Sequence, residues 1–300
     1  MQALQEMRGE DAPATYQFVK ETMKSGGGFN VDRTWQAFWM QYGKVDVAGA
    51  LAQAEHDDSE YGQKDRVRKH LYAGWGLEQP AEALAKLVKE ESLPERGRGV
   101  EGISAVWAER DPAAAGAWIA SNLEGGFLAT ALGALQWGAV TAKGGTAAAD
   151  MFASLPRTPE ADAAVEALGV SLSQTPGVLP ADRLHAAEVI RDRGLYNGTL
   201  LNTVAGDLMK SDPPQNAAEY LTGFQPPEKD QAFQPLLNVV NQWGRMDPIA
   251  AGNWVNAQQG RPWFDSAAAG YAQAIRPLDP AASAAWAARI RSEAIRSELR

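Results

Sequence analysis

Apolar positions along this chain recur at helical spacing. Phe127, Leu128, Ala131, Leu132 and Leu135 lie on one side of a 3.6-residue helix, and no run of alternating β-branched residues is bounded by a hairpin turn. The pattern predicts an all-α protein. A longer period is superimposed on the short one: Trp107-x3-Asp111-Pro112-x5-Trp118 returns as Trp243-x3-Asp247-Pro248-x5-Trp254, and in weaker form as Ile275-x3-Asp279-Pro280-x5-Trp286. Self-similarity at a period of a few tens of residues marks a repeat architecture.

Each Asp-Pro step reads as a helix start. Asp caps the free N–H groups of a first turn, and Pro suits the next position, where its missing N–H has no partner to lose. Starts of a second helix in each pair are expected at Asp11, Asp46, Gln79, Asp111, Thr146, Leu179, Asp212, Asp247 and Asp279, with gaps of 32 to 35 residues. The large residue four positions earlier, as at Trp107 and Trp243, closes the first helix of the pair across a turn of about three residues. In the middle of the chain Trp137 and Leu172 take that role, with Gly144-Gly145 and Pro176-Gly177 supplying longer turns. Gly116 and Gly252 occupy the same position of the second helix and mark close contacts, because glycine inside a helix costs up to about 1 kcal/mol against alanine. The expected architecture is an α-solenoid of about eight to nine antiparallel helix pairs, forming a single domain over 1–300. Its first repeat is truncated at 1–8 and its C-terminal capping helix covers about 280–299. An array that begins in mid-repeat is what trimming, or removal of an N-terminal leader, produces.

Composition then narrows the function. The segment Phe127–Ala142 is the longest without a charge, but at 16 residues with Gly133, Gln136 and Gly138 it reads as a buried first helix, so no membrane span is expected. The first residues have neither the basic start nor the apolar stretch of a signal peptide. No cysteine is present, which removes disulfides, thiolate nucleophiles and Cys-ligated metals but leaves cytoplasm and periplasm equally open. A net charge of −9, with no hundred-residue third basic, argues against nucleic-acid binding. The basic run Arg289, Arg291, Arg296 and Arg300 is interrupted by Glu293 and Glu298 and reads as a solvated capping helix, with Arg289 paired to Glu293 at i,i+4.

Candidate chemistry is sparse. Three histidines stand in no HExxH or HxH spacing. His56-Asp57-Asp58 is the one dense ligand-like cluster, and its place after a second helix makes it a polar loop first and a metal site second. Ala142-Lys143-Gly144-Gly145-Thr146 lacks the order of a phosphate loop and reads as a helix end followed by a Thr cap. Trp263, after Arg261-Pro262 and outside the repeat positions, is the candidate exposed aromatic, weighed against packing at the start of a first helix. No catalytic residue and no cofactor are expected.

The Trp-x3-Asp-Pro-x-Ala-Ala-x2-Trp texture from Asp11 to Trp286 resembles largely uncharacterised helical-repeat proteins of verrucomicrobial and planctomycetal bacteria, with HEAT-like or tetratricopeptide-like helix pairs. The Asp-Pro-x5-Trp piece is similar to the junction between tetratricopeptide repeats, although Asn122 and Gln258 stand where that family has glycine. The resemblance implies a right-handed superhelix with a binding groove. It supports a non-catalytic scaffold that holds a protein or peptide on its concave face. The alternative is an α/α-barrel carbohydrate-active enzyme using loop carboxylates, which would need irregular aromatics such as Trp263 beside paired acids.

Overall fold

The computed structural model describes residues 4, 6–24, 31–57, 64–91, 93, 95–225 and 231–299. Among them are seventeen α-helices and no strand, and the chain forms two compact units, Met1–Ala164 and Val165–Arg300. In the first unit a 3-10 turn, Gly9–Asp11, precedes α1 (Ala12–Lys24), α2 (Val31–Val45), α3 (Val47–Glu55), α4 (Lys64–Trp75), α5 (Pro80–Lys89), α6 (Arg96–Arg110), α7 (Pro112–Asn122) and α8 (Gly125–Ala153). Helix α9 (Pro159–Gln174) carries the boundary. The second unit continues with α10 (Pro180–Asp192), α11 (Gly198–Ser211), α12 (Pro214–Leu221), α13 (Gln234–Met246), α14 (Pro248–Ala257), α15 (Phe264–Ile275), α16 (Pro280–Ala287) and α17 (Glu293–Ser297).

Three of the Asp-Pro or Asp-Val steps form sharper corners than the spacing suggested. Asp46, Asp111 and Asp247 each stand alone between two helices, at φ/ψ of −156/86°, −146/83° and −143/86°. The backbone N–H of each donates to the carbonyl four residues back, on Tyr42, Trp107 and Trp243, at 2.8 Å, which completes the first helix. Each carboxylate accepts from the N–H three residues on, at Gly49, Ala114 and Ala250, at 2.9 to 3.0 Å, and so opens the second. One residue thus satisfies orphan groups of both helix ends. The expected three-residue turn occurs before Gln79 and before Asp279, whose carboxylate caps α16 through Ala282 N–H at 2.8 Å.

Other starts differ. The Asp11 carboxylate accepts from Arg8 N–H at 3.3 Å and closes the 3-10 turn. Pro213 caps α12, one residue later than expected, while Asp212 accepts from the Ser211 hydroxyl at 2.9 Å. Near Thr146 the break sits two residues earlier, at Gly144, whose φ of 84° and ψ of 172° glycine alone adopts without strain. The expected capping helix is two short helices, α16 and α17. Because α16 ends at Ala287, Arg289 is not in helical register with Glu293. Its guanidinium lies 4.0 Å from the Trp286 ring centroid and donates to Asn256 Oδ1 at 2.9 Å.

Within a pair, the repeated aromatics meet as the pattern requires. The Trp107 and Trp118 centroids are 5.9 Å apart at 49°, and Trp243 and Trp254 repeat this at 5.9 Å and 53°. Trp243 is 5% exposed, whereas Trp107 is only half-buried. At the degenerate copy Tyr271 replaces Ile275 as the partner of Trp286, at 5.0 Å, and its hydroxyl donates to the Pro248 carbonyl at 2.9 Å beneath Gly252. Gly116 packs likewise against Met151 and Leu155.

Successive first helices pack directly on one another: α2 on α4, α4 on α6 and α6 on α8 in the first unit, and α11 on α13 and α13 on α15 in the second. In four of these contacts, all but α11 on α13, backbone meets backbone. A methyl at Gly102 would overlap the Lys69 carbonyl, and one at Gly270 would overlap the Leu237 carbonyl. Both glycines stand nine residues before a helix-capping Asp, Asp111 and Asp279, so the same register recurs in the two units. Gly74 against the Met40 carbonyl and Gly138 against the Ala105 carbonyl are further close contacts within the first unit.

Replacing Trp243 by Ala should cost about 3–5 kcal/mol, as for a buried aromatic, and replacing Trp107 clearly less because its side chain is only partly buried. Asp111→Ala and Asp247→Ala should each cost about 1 kcal/mol through the lost cap. Urea unfolding of the four variants checks this order; equal losses for Trp243 and Asp247 would contradict it.

Candidate functional site

In the first unit the first helices α4, α6 and α8 lie side by side, and their outer face carries a groove of about 490 Å³. Its floor is Ala105 of α6 with Ala129, Gly133 and Ala134 of α8; Lys69 and Glu101 close one end, and Trp137 stands at the other. Leu128, Ala131, Leu132, Leu135 and Ala139 turn inward and are buried. Trp137 comes nine residues after Leu128, two and a half helical turns, and so faces the opposite way. It is 63% exposed. The expected role of Trp137 in closing a pair is therefore corrected, while Leu172 is fully buried as that role requires.

Gly133 differs from the packing glycines. A methyl placed there meets nothing within 4 Å, so no neighbour in the fold requires its small size. At the charged end Lys69 Nζ lies 2.7 Å from Glu101 Oε1, and Arg98 Nη1 lies 3.0 Å from Glu101 Oε2. Burial pushes the Glu101 carboxyl up, but the hydrogen bonds from Lys69 and Arg98 outweigh it and hold the group below the ordinary range. Glu101 is an ionised anchor, unsuited to proton donation near neutrality. Next to Lys69 on α4, burial, followed by the Lys69 and Arg66 charges, lowers His70 to about 4.

A second pocket of about 280 Å³, lined by Lys44, Trp75, Glu78, Glu82 and Lys86, opens at the corners of the same unit. Lys44 pairs with Glu78 at 2.9 Å and Lys86 Nζ lies 5.9 Å from the Trp75 ring centroid, so much of its polarity is already spent.

Two members of the candidate cluster His56-Asp57-Asp58 are described. His56 caps the C-terminus of α3 and is exposed. Asp57 is buried and accepts from Tyr16 Oη at 2.7 Å, which ties the loop to α1; Asp58 lies outside the described residues. Among the described residues no group of three or more His, Asp or Glu is placed to hold a metal ion. Trp263 is half-buried at the start of α15, its Nε1 donating to Gln258 Oε1 at 3.1 Å, so it is a helix-start residue and Trp137 is the exposed indole. No described helix is long and apolar enough to cross a membrane. No family model, curated protein or solved structure matches this chain.

The lowered His70 pKa gives a signed pH dependence. The neutral form is favoured in the fold, so the contribution is fully present above about pH 6.5 and is lost as pH falls from there toward 4. Urea midpoints measured at pH 7 and pH 4.5 should drop more for the wild type than for His70→Gln; an equal drop would contradict the assignment.

Proposed function

We propose that this chain is a non-catalytic helical-repeat scaffold of the α-solenoid class, built of HEAT-like or tetratricopeptide-like pairs, that binds a protein or peptide on the face formed by its first helices. The observation that supports this most is Trp137. An indole 63% exposed beside an Ala/Gly floor leaves most of its surface outside the packing of the fold. Exposed aromatics beside a shallow apolar floor are the usual anchors of protein recognition. Gly133 fits the same reading, since the helix carries a destabilising residue that keeps the groove open.

The reading as a carbohydrate-active enzyme has less to stand on. It requires two carboxylates flanking a reacting bond, one of them with a raised pKa. Among the described residues Glu101 is the one carboxylate lining the groove, and its pKa is lowered. The acidic excess of the chain favours a partner whose contact surface is neutral or basic.

A pull-down from native lysate tests the proposal. Trp137→Ala and Gly133→Leu should each cut recovery of the bound polypeptide about tenfold, the loss of one interface anchor, while the unfolding midpoint does not fall. Undiminished recovery with both variants would refute it.

A further inference from the structure

The last helices of the second unit form a pocket with a different chemistry. Helix α15 packs against α16 and α17, and α16, α17 and the residues that flank them line a space of about 450 Å³. Pro280, Ala284 and Ala288 recur at helical spacing and give it one apolar wall, to which Leu299 adds. Arg276 and Arg296 supply its charge, and among the described residues no Asp or Glu lines it. The Ser283 hydroxyl is already spent, since it donates to the Ala272 carbonyl at 2.8 Å.

The two arginines are held in place without being neutralised. Arg276 Nη1 donates to the Leu299 carbonyl at 3.2 Å, and Arg296 donates to the Ile290 carbonyl through Nε at 3.0 Å and Nη2 at 2.7 Å. A backbone carbonyl fixes a guanidinium but leaves its charge uncancelled. Arg68, Arg98 and Arg183 each pair with a carboxylate; among the described residues Arg276 and Arg296 do not. The nearby acids are otherwise placed. Asp279 caps α16 through the Ala282 N–H at 2.8 Å, while Glu293 and Glu298 are exposed and outside the lining.

These bonds also leave a defined set of donors. A guanidinium carries five N–H groups. With Nη1 taken, Arg276 keeps the edge formed by Nε and Nη2, whose two parallel N–H groups match the two oxygens of a carboxylate. Arg296 keeps Nη1 and adds a second positive charge.

We infer that this pocket binds a small aliphatic carboxylate, the head on the arginines and the hydrocarbon on the alanine wall. The wall offers apolar area and no hydrogen-bonding side chain, so it suits methylene groups and gives a hydroxylated body such as a sugar acid nothing to bond. An inorganic anion would leave the wall unused. The volume lies in the range of small-molecule sites, about 300–1,000 Å³. Because both guanidiniums are fixed in advance, little side-chain freedom is lost on binding. The site is in the other unit from Trp137 and does not rest on the scaffold reading.

Calorimetric titration of the full chain with octanoate tests the inference, with acetate and octylammonium as comparisons. Octanoate should saturate one site with a Kd of about 1 mM or tighter. Acetate, which lacks the hydrocarbon, and octylammonium, which reverses the charge, should each bind at least about tenfold more weakly. Arg276→Gln should weaken octanoate about tenfold or more through the lost charge-assisted hydrogen bonds. Ala284 is exposed on α16, so its replacement leaves the fold intact. Ala284→Glu places a competing carboxylate in the pocket and should bind octanoate at least about tenfold more weakly than Ala284→Gln, which has the same size and no charge. This pair decides the matter even if Arg276→Gln lowers the unfolding midpoint. Failure of octanoate to saturate the wild type, octylammonium binding as tightly as octanoate, or equal affinity in the two Ala284 variants would each overturn the inference.

Discussion

Close backbone contact between successive first helices is the constraint on which the rest of the structure depends. Where Gly102 meets the Lys69 carbonyl and Gly270 meets the Leu237 carbonyl, no side chain fits between the helices. Such contact maximises dispersion over the helix surfaces and sets spacing and register together. It has a consequence for the outer face. With the first helices this close, residues on the side away from the second helices are carried into neighbouring rows, and a groove or ladder across several helices is formed by the stacking itself. Trp137 with Ala105 and Lys69 in one unit, and the hydrogen-bonded pairs Asn202 with Asn238 and Asn241 with Gln273 in the other, are such rows.

The second helices are held differently. They join the first helices through single-residue Asp corners and through paired rings such as Trp243 and Trp254. A corner of one residue leaves no loop to accommodate error, since both helix ends are fixed by the same N–H and carboxylate. Large aromatics and caps thus form the inside of each pair and small residues form the stack, so the outer face is left free for polar and aromatic groups with no structural duty.

Much of this was legible in the residues. The cap positions Asp46, Asp111, Asp247 and Asp279 follow from local hydrogen-bond chemistry, and Asp-Pro spacing reports that chemistry directly. The starts at Thr146 and Asp212 were displaced because a Gly144 break and a second proline compete locally with the cap, whereas α1 does begin directly after Asp11, whose carboxylate closes a 3-10 turn instead of capping the helix. The stacking glycines were harder to see, since glycine at a packed carbonyl and glycine facing solvent look alike in a sequence. Trp137 faces outward because angle, not size, sets the face of a helical residue, and the stripe of Leu128, Leu132 and Leu135 already turns that position away from the core. The amide pairs could not be read from the chain, because their members become neighbours only after three helices align. Asp57 likewise became structural only through Tyr16, 41 residues away in the chain.

The distinction between the two kinds of glycine is the account's central claim, and four alanine variants measure it directly by thermal unfolding. At Gly102 and Gly270 the added methyl must displace a backbone carbonyl, and stability should fall by about 1–3 kcal/mol. At Gly133 and Gly206 the methyl meets open space on a helix, and stability should rise by as much as about 1 kcal/mol. A similar change in stability, of either sign, at all four positions would contradict the claim that the first pair builds the stack and the second keeps its outer face open.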